Sequence, residues 1–192
     1  MCADRYDGTD MPHAAAPAGR DAGSTLIDAH LALPVLRTAL AAAPVLEFLS
    51  AIFARAPALA ASAARFCVTP RPFIQDSVLQ AETDNPLAMA TVWLALDDTR
   101  PGDGSPILLT GSHRARDFLF GGTGKLLRDG PGQLGSYAAW MRQATATGNF
   151  VRHEPELRAG DIVVRHADLL HGSEPKAGCP PARGVAGWFR PA

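Results

Sequence analysis

Near the C-terminal end a strand-like run, Gly160-Asp161-Ile162-Val163-Val164-Arg165-His166, leads to His171. The chain turns there through Gly172 and Ser173, and an apolar run from Arg183 to Phe189 returns past it. Two such strands separated by a turn fold back on each other, which puts an imidazole and a guanidinium in one cavity. Imidazole is the commonest metal ligand, and a planar, permanently charged guanidinium grips a carboxylate with two parallel hydrogen bonds. One reading is a metal site that also holds an organic acid. The other is a turn-capping His171 and a solvated Arg183, and these residues alone leave both open.

The preceding chain supplies what such a site would rest on. Residues 1–24 mix Asp, Arg, Gly, Pro and Ala with no apolar core, which reads as a disordered N-terminus and not as a signal peptide. From Ala29 to Arg55 Leu33, Leu36, Leu40, Val45, Leu46, Leu49, Ile52 and Phe53 recur at helical spacing, predicting one or two amphipathic helices broken at Pro44. Ala58 to Ala64 can continue the helix, so 25–64 is expected to be a helical buttress. Beyond Arg65 the residue types change to those of strands: Leu87–Leu96, Ser105–Thr110, Asn149–Leu157, Asp161–Arg165 and Val185–Arg190 are short runs bounded by Gly, Pro and Asp. The Gly-rich stretch from Asp117 to Gly148, helical around Tyr137 to Arg142, reads as a long insertion over the mouth of the sheet. Many short strands after a helical start suggest a β-sandwich or jelly roll, here residues 65–192, with flanking N-terminal helices.

Composition narrows the function class. A length of 192 residues suits one domain with its own core, and a net charge of −1 gives no electrostatic case for nucleic acid or for an anionic membrane as a partner. Leu31 to Val68 is interrupted by Pro34, Arg37, Glu47, Arg55, Pro57 and Arg65, which argues against a membrane span. Cys2, Cys67 and Cys179 are odd in number and widely spaced, so no disulfide framework or zinc site is indicated and a cytoplasmic, reducing location fits.

Gln75-Asp76, then Trp93-Leu94-Ala95-Leu96-Asp97-Asp98, Gly104, Gly111-Ser112-His113, Gly160-Asp161, His166 to Ser173 and Arg183 follow one another in an order that resembles the phytanoyl-CoA dioxygenase family. That family belongs to the Fe(II)/2-oxoglutarate-dependent oxygenases. The resemblance covers Arg65 to Pro191 and implies a mainly β double-stranded β-helix (a jelly roll, or cupin) with iron held by two histidines and a carboxylate. It implies Asp76 and His171 as metal ligands and Arg183 as the residue pairing with the far carboxylate of 2-oxoglutarate, with Arg190 as its competitor. Ser173 and Trp93 become cofactor contacts. Gly111-Ser112-His113 matches a family turn, with Thr110 where the family has proline.

The family motif places a histidine two residues before the aspartate, and this chain has Ile74 there. Isoleucine has no lone pair to offer, so Gln75, Glu82, His113 and His166 are the candidates for a substitute ligand or a supporting role. Only Ser24 to Ile74 precedes this block, a shorter lead than the family's, which reads as a trimmed N-terminal layer or a truncated product. The expected function is oxidation, such as hydroxylation, of a small or carrier-tethered organic substrate with Fe(II) and 2-oxoglutarate as cofactors. The alternative is a catalytically inactive jelly roll that binds a ligand or a partner protein.

Overall fold

The computed structural model describes residues 3–5, 25–31, 33–65, 71–79, 88–120, 122, 124–125, 131–176 and 182–192. Its strands are β1 (Ala3–Arg5), β2 (Thr25–Ile27), β3 (Pro57–Arg65), β4 (Arg71–Ile74), β5 (Ala90–Ala95), β6 (Ile107–Thr110), β7 (Val151–His153), β8 (Ile162–His166), β9 (His171–Ser173) and β10 (Gly184–Pro191). Helices α1 (Pro34–Leu40) and α2 (Ala43–Phe53) precede β3, α3 (Asp76–Leu79) is a single turn, and α4 (Pro131–Thr147) lies between β6 and β7. The strands form a six-stranded sheet in the order β1-β2-β3-β10-β5-β8 and a four-stranded sheet in the order β4-β9-β6-β7. All pairings are antiparallel except β1 with β2. This is the expected mainly β jelly roll.

The two faces of the large sheet divide its side chains by the period of two that a pleated strand imposes. Ala90, Val92 and Leu94 of β5 and Val185 and Phe189 of β10 face outward, where Leu40 and Leu49 of the helices cover them. Trp93 and Ala95 of β5, Ala186 and Trp188 of β10 and Ala63 of β3 face the interior. Every residue of β5 is buried, because the helices cover one face and Leu157 and Ala167 pack with Trp93 and Ala95 on the other. A strand covered twice reads as an unbroken apolar run, as this one does. A third cluster, built on Tyr137 and Met141 of α4 with Leu109, Phe120 and Leu170, packs against the small sheet.

The start of the chain departs from expectation in two places. The break between the helices falls at Ala41 and Ala42, and Pro44 sits in the first turn of α2, where a missing N–H costs nothing. Ala58 to Ala64 does not continue the helix. Ala54 ends α2 in the left-handed region at φ 53°, and the alanines that follow run as β3 between β2 and β10. Alanine's helix preference is below 1 kcal/mol relative to most residues. It yields here to a strand position that buries small side chains on two sides and satisfies the backbone of both neighbours. Contacts to Ser62 secure the second half of this strand: its hydroxyl lies 2.7 Å from His30 Nδ1, and its backbone N–H donates to Asp28 Oδ1 at 3.1 Å. Residues 1–24, apart from Ala3–Arg5, lie outside the described residues, as do Glu82 and the three cysteines. Among the described residues no single helix is long and apolar enough to cross a membrane.

Candidate functional site

Asp76 opens α3 immediately after β4, and His171 opens β9, which pairs with β4. The small sheet thereby brings the two side chains together, with Asp76 Oδ1 3.6 Å from His171 Nε2. That separation is too long for a hydrogen bond. The other carboxylate oxygen is fully engaged: Oδ2 accepts from Thr91 Oγ1 at 2.7 Å and from Arg165 Nε at 2.9 Å. Thr91 and Arg165 are opposite one another on β5 and β8 and share the interior face. Asp76 and Arg165 are 4% and 6% exposed, so this is an ion pair taken out of water.

Both site residues are held in their lone-pair-bearing forms. Burial works against the Asp76 carboxylate, but the Arg165 charge and the hydrogen bonds from Arg165 and Thr91 outweigh it and keep its pKa well below the usual carboxylate range. Burial lowers His171 to about 4, the Arg165 charge acts in the same direction, and Asp76 opposes them. His171 Nδ1 is 3.0 Å from the Leu169 carbonyl, so as a donor it fixes the tautomer and leaves the Nε2 lone pair facing Asp76. A carboxylate and a neutral imidazole are the protonation states that bind metal. A divalent ion with bonds of ~2.0–2.2 Å to nitrogen and oxygen can bridge two donors at this separation.

Among the described residues no third protein donor joins the pair. Ile74 lies directly opposite His171 in the β4–β9 ladder and packs against the α4 cluster. Among the described residues no group of three His, Cys, Asp or Glu side chains could hold a metal ion. Gln75 is committed elsewhere: its Nε2 donates to the Asp168 carbonyl at 2.8 Å, and its Oε1 accepts from Tyr137 at 3.3 Å. His166 Nδ1 accepts from the Asp168 backbone N–H at 3.0 Å, and its ring lies 5.8 Å from that of His113. The two histidines form a turn pair rather than a ligand set. The residues present thus fit a metal at two positions and leave the rest of its coordination sphere to non-protein ligands.

Arg183 is not brought to Asp76 and His171. Its guanidinium is turned outward onto Asp97 in a two-pronged pair, Nε at 2.8 Å and Nη2 at 2.5 Å, with more than half of the side chain exposed. The reason lies one residue further on. At the first level of β10 the inward position belongs to Gly184, where a Cβ would run into the Trp93 ring, so Trp93 occupies the space an inward side chain would need. Alternation then sends Arg183 to the outer face. Trp93 is therefore a wall of the interior, and Ser173, two residues beyond His171, is buried in β9. Arg190 is exposed at the far end of β10.

Several supporting residues escaped the sequence reading. Arg165 carried a visible signal, a charge in an otherwise apolar strand, and so did Thr91. Ser112 accepts from the Leu170 backbone N–H at 2.8 Å and fixes the approach to His171. The buried Tyr137 hydroxyl accepts from the Gln75 backbone N–H at 3.0 Å, holding the residue next to Asp76. Lys125 bonds Asp168 at 2.9 Å and Asp117 at 2.8 Å, tying the inserted loop to the turn before His171. Nothing in the sequence marked these last two, since they meet across long separations.

The family model for phytanoyl-CoA dioxygenase (PhyH) matches residues 69–179, more than half of the chain, spanning Asp76, Arg165 and His171. The chain belongs to the phytanoyl-CoA dioxygenase family. No curated protein matches it significantly. Among solved structures it is similar to the non-heme alpha-ketoglutarate-dependent carbocyclase SnoK of nogalamycin biosynthesis, with 17% identity, a TM-score of 0.69, and coverage of 88% of this chain and 63% of that one. The epimerase SnoN gives 19%, 0.65, 88% and 62%. EctD from S. alaskensis, in a structure with bound Fe, gives 17%, 0.66, 87% and 56%. At such identities the likeness is one of fold, and the chain spans about three-fifths of the length of these structures.

Proposed function

We propose that this chain is an Fe(II)/2-oxoglutarate-dependent oxygenase that oxidises a small or carrier-tethered organic substrate in a reducing cytoplasm, using a site with two protein ligands. The observation that carries the reading is the convergence of Asp76 Oδ1 and His171 Nε2 at 3.6 Å, one a carboxylate and the other a neutral imidazole. Family membership supports the cofactor pair. When bound, iron with 2-oxoglutarate supplies oxidative chemistry at an unactivated C–H bond, which no side chain of the chain could perform.

The chain's own residues orient and enclose. Asp76 supplies one negative charge, and Thr91 and Arg165 hold its Oδ2 so that only Oδ1 faces His171. The Leu169 carbonyl holds the His171 ring from behind. Trp93 and Trp188 line the interior and keep water from it. The test is turnover: with Fe(II) and O2 the protein converts 2-oxoglutarate to succinate, and Asp76→Asn and His171→Ala abolish this. Succinate formation equal in wild type and both variants would refute the reading.

The second reading, a non-catalytic jelly roll that binds a ligand or partner, is favoured by one observation. Ile74 offers an alkyl group directly across the ladder from His171, and Asp76 already has a cationic partner in Arg165. The buried charges are satisfied in pairs without any metal.

A further inference from the structure

With Arg183 engaged outside, the interior needs another cation if it is to hold a dicarboxylate, and the sheet register supplies one. Arg65 ends β3 directly opposite Gly184 of β10, at the level where Trp93 fills the inward space of β10. Along β3, Ala64 packs outward under the helices while Ala63 and Ala61 face the interior, so Arg65 shares the interior face with Ala63. The Asp76 carboxylate is bonded to Thr91, which is opposite Trp188. Gly184 and Trp188 are four residues apart, ~13 Å along the strand. An arginine side chain reaching along the interior from the Arg65 level shortens that gap to one a five-carbon dicarboxylate can bridge. The wall between the levels is lined by the small side chains Ala63 and Ala186.

One further observation fits an anion between the levels. Trp188 Nε1 is buried and has no hydrogen-bond partner among the described residues. A buried donor left alone is unfavourable, and a ligand oxygen would satisfy it.

We propose that Arg65 of β3, and not Arg183, receives the far carboxylate of a dicarboxylate of 2-oxoglutarate size held at Asp76 and His171. The proposal rests on the functional reading above and adds the residue that selects the acid. Arg165 is in this scheme a positioning residue, which fixes Asp76.

The test uses the full chain with Co(II) as a spectroscopic stand-in for iron, titrated by calorimetry with 2-oxoglutarate and with 2-oxobutyrate, which lacks the far carboxylate. Wild type binds 2-oxoglutarate the more tightly. Arg65→Gln weakens 2-oxoglutarate binding by about 10–100-fold, the loss of a charge-assisted hydrogen-bonded contact, and leaves 2-oxobutyrate unchanged. Arg183→Gln changes neither. Thermal unfolding checks that the variants fold, and if Arg65→Gln does not, Arg65→Lys carries the test, weakening 2-oxoglutarate alone by a smaller factor. Loss of discrimination in Arg183→Gln but not in Arg65→Gln overturns the proposal, as does a wild type that treats both acids alike. Absence of the Co(II) absorption band in wild type overturns the metal reading, whereas a normal band with no discrimination overturns only the assignment of Arg65.

Discussion

The environment of His171 makes the stability of the metal-free protein depend on pH in a way that can be isolated. An unfolded histidine titrates near 6.5, whereas burial and the Arg165 charge lower His171 in the folded state to about 4. Between those values the unfolded chain binds a proton that the folded chain does not, so folding stability is complete above about pH 6.5 and declines as pH falls toward 4. The slope approaches ~1.4 kcal/mol per pH unit, and over the window the loss accumulates to roughly 3 kcal/mol. His30 is also lowered by burial and adds a slope of the same sign. It is common to wild type and a His171→Gln variant, so the difference between them isolates His171. Urea unfolding followed by tryptophan fluorescence in the presence of a chelator, from pH 7.5 to 4.5, gives both curves. The stability advantage of wild type over His171→Gln should shrink steadily below pH 6.5. An advantage that stays constant across the range would refute the argument that His171 is held neutral by its surroundings.

Other perturbations follow from the same contacts. Arg165→Met leaves the Asp76 carboxylate buried without its cation, costing ~3–5 kcal/mol by chemical denaturation, and Asp76→Leu added to it restores most of the loss. Gly184→Ala drives a methyl group into the Trp93 ring and lowers stability by ~1–3 kcal/mol, with a changed tryptophan emission, and Trp93→Phe relieves part of this. Tyr137→Phe strips the partner from the buried Gln75 N–H and costs ~1–3 kcal/mol, read as a lower urea midpoint at unchanged slope.

The fold was legible where a pattern is local. Strand signals after residue 87, the turns at Gly104 and Gly111 and the amphipathic face of α2 all derive from period and turn chemistry acting over a few residues. Ala58 to Ala64 was not legible, because alanine states a weak preference for helix and the strand comes from its neighbours β2 and β10. The nearness of Asp76 to His171 came from resemblance, not from spacing, since the β4–β9 register that creates it joins residues far apart in sequence. Arg183 lies apart from this pair for a concrete reason. Its outward direction is decided by Trp93 lying on Gly184, a contact between two strands that neither strand announces. Arg165 showed itself by position: an arginine that follows Ile162, Val163 and Val164 and is the buried residue of its strand must meet an anion inside.

Anaerobic Fe(II) titration of wild type, His171→Ala and Ile74→His decides whether Asp76 and His171 form a metal site without a third protein ligand. Wild type should bind saturably, more tightly with 2-oxoglutarate, with binding lost in His171→Ala and strengthened in Ile74→His. Wild type that binds no better than His171→Ala, alongside an Ile74→His variant that binds well, would contradict it and leave the non-catalytic jelly roll as the function to pursue.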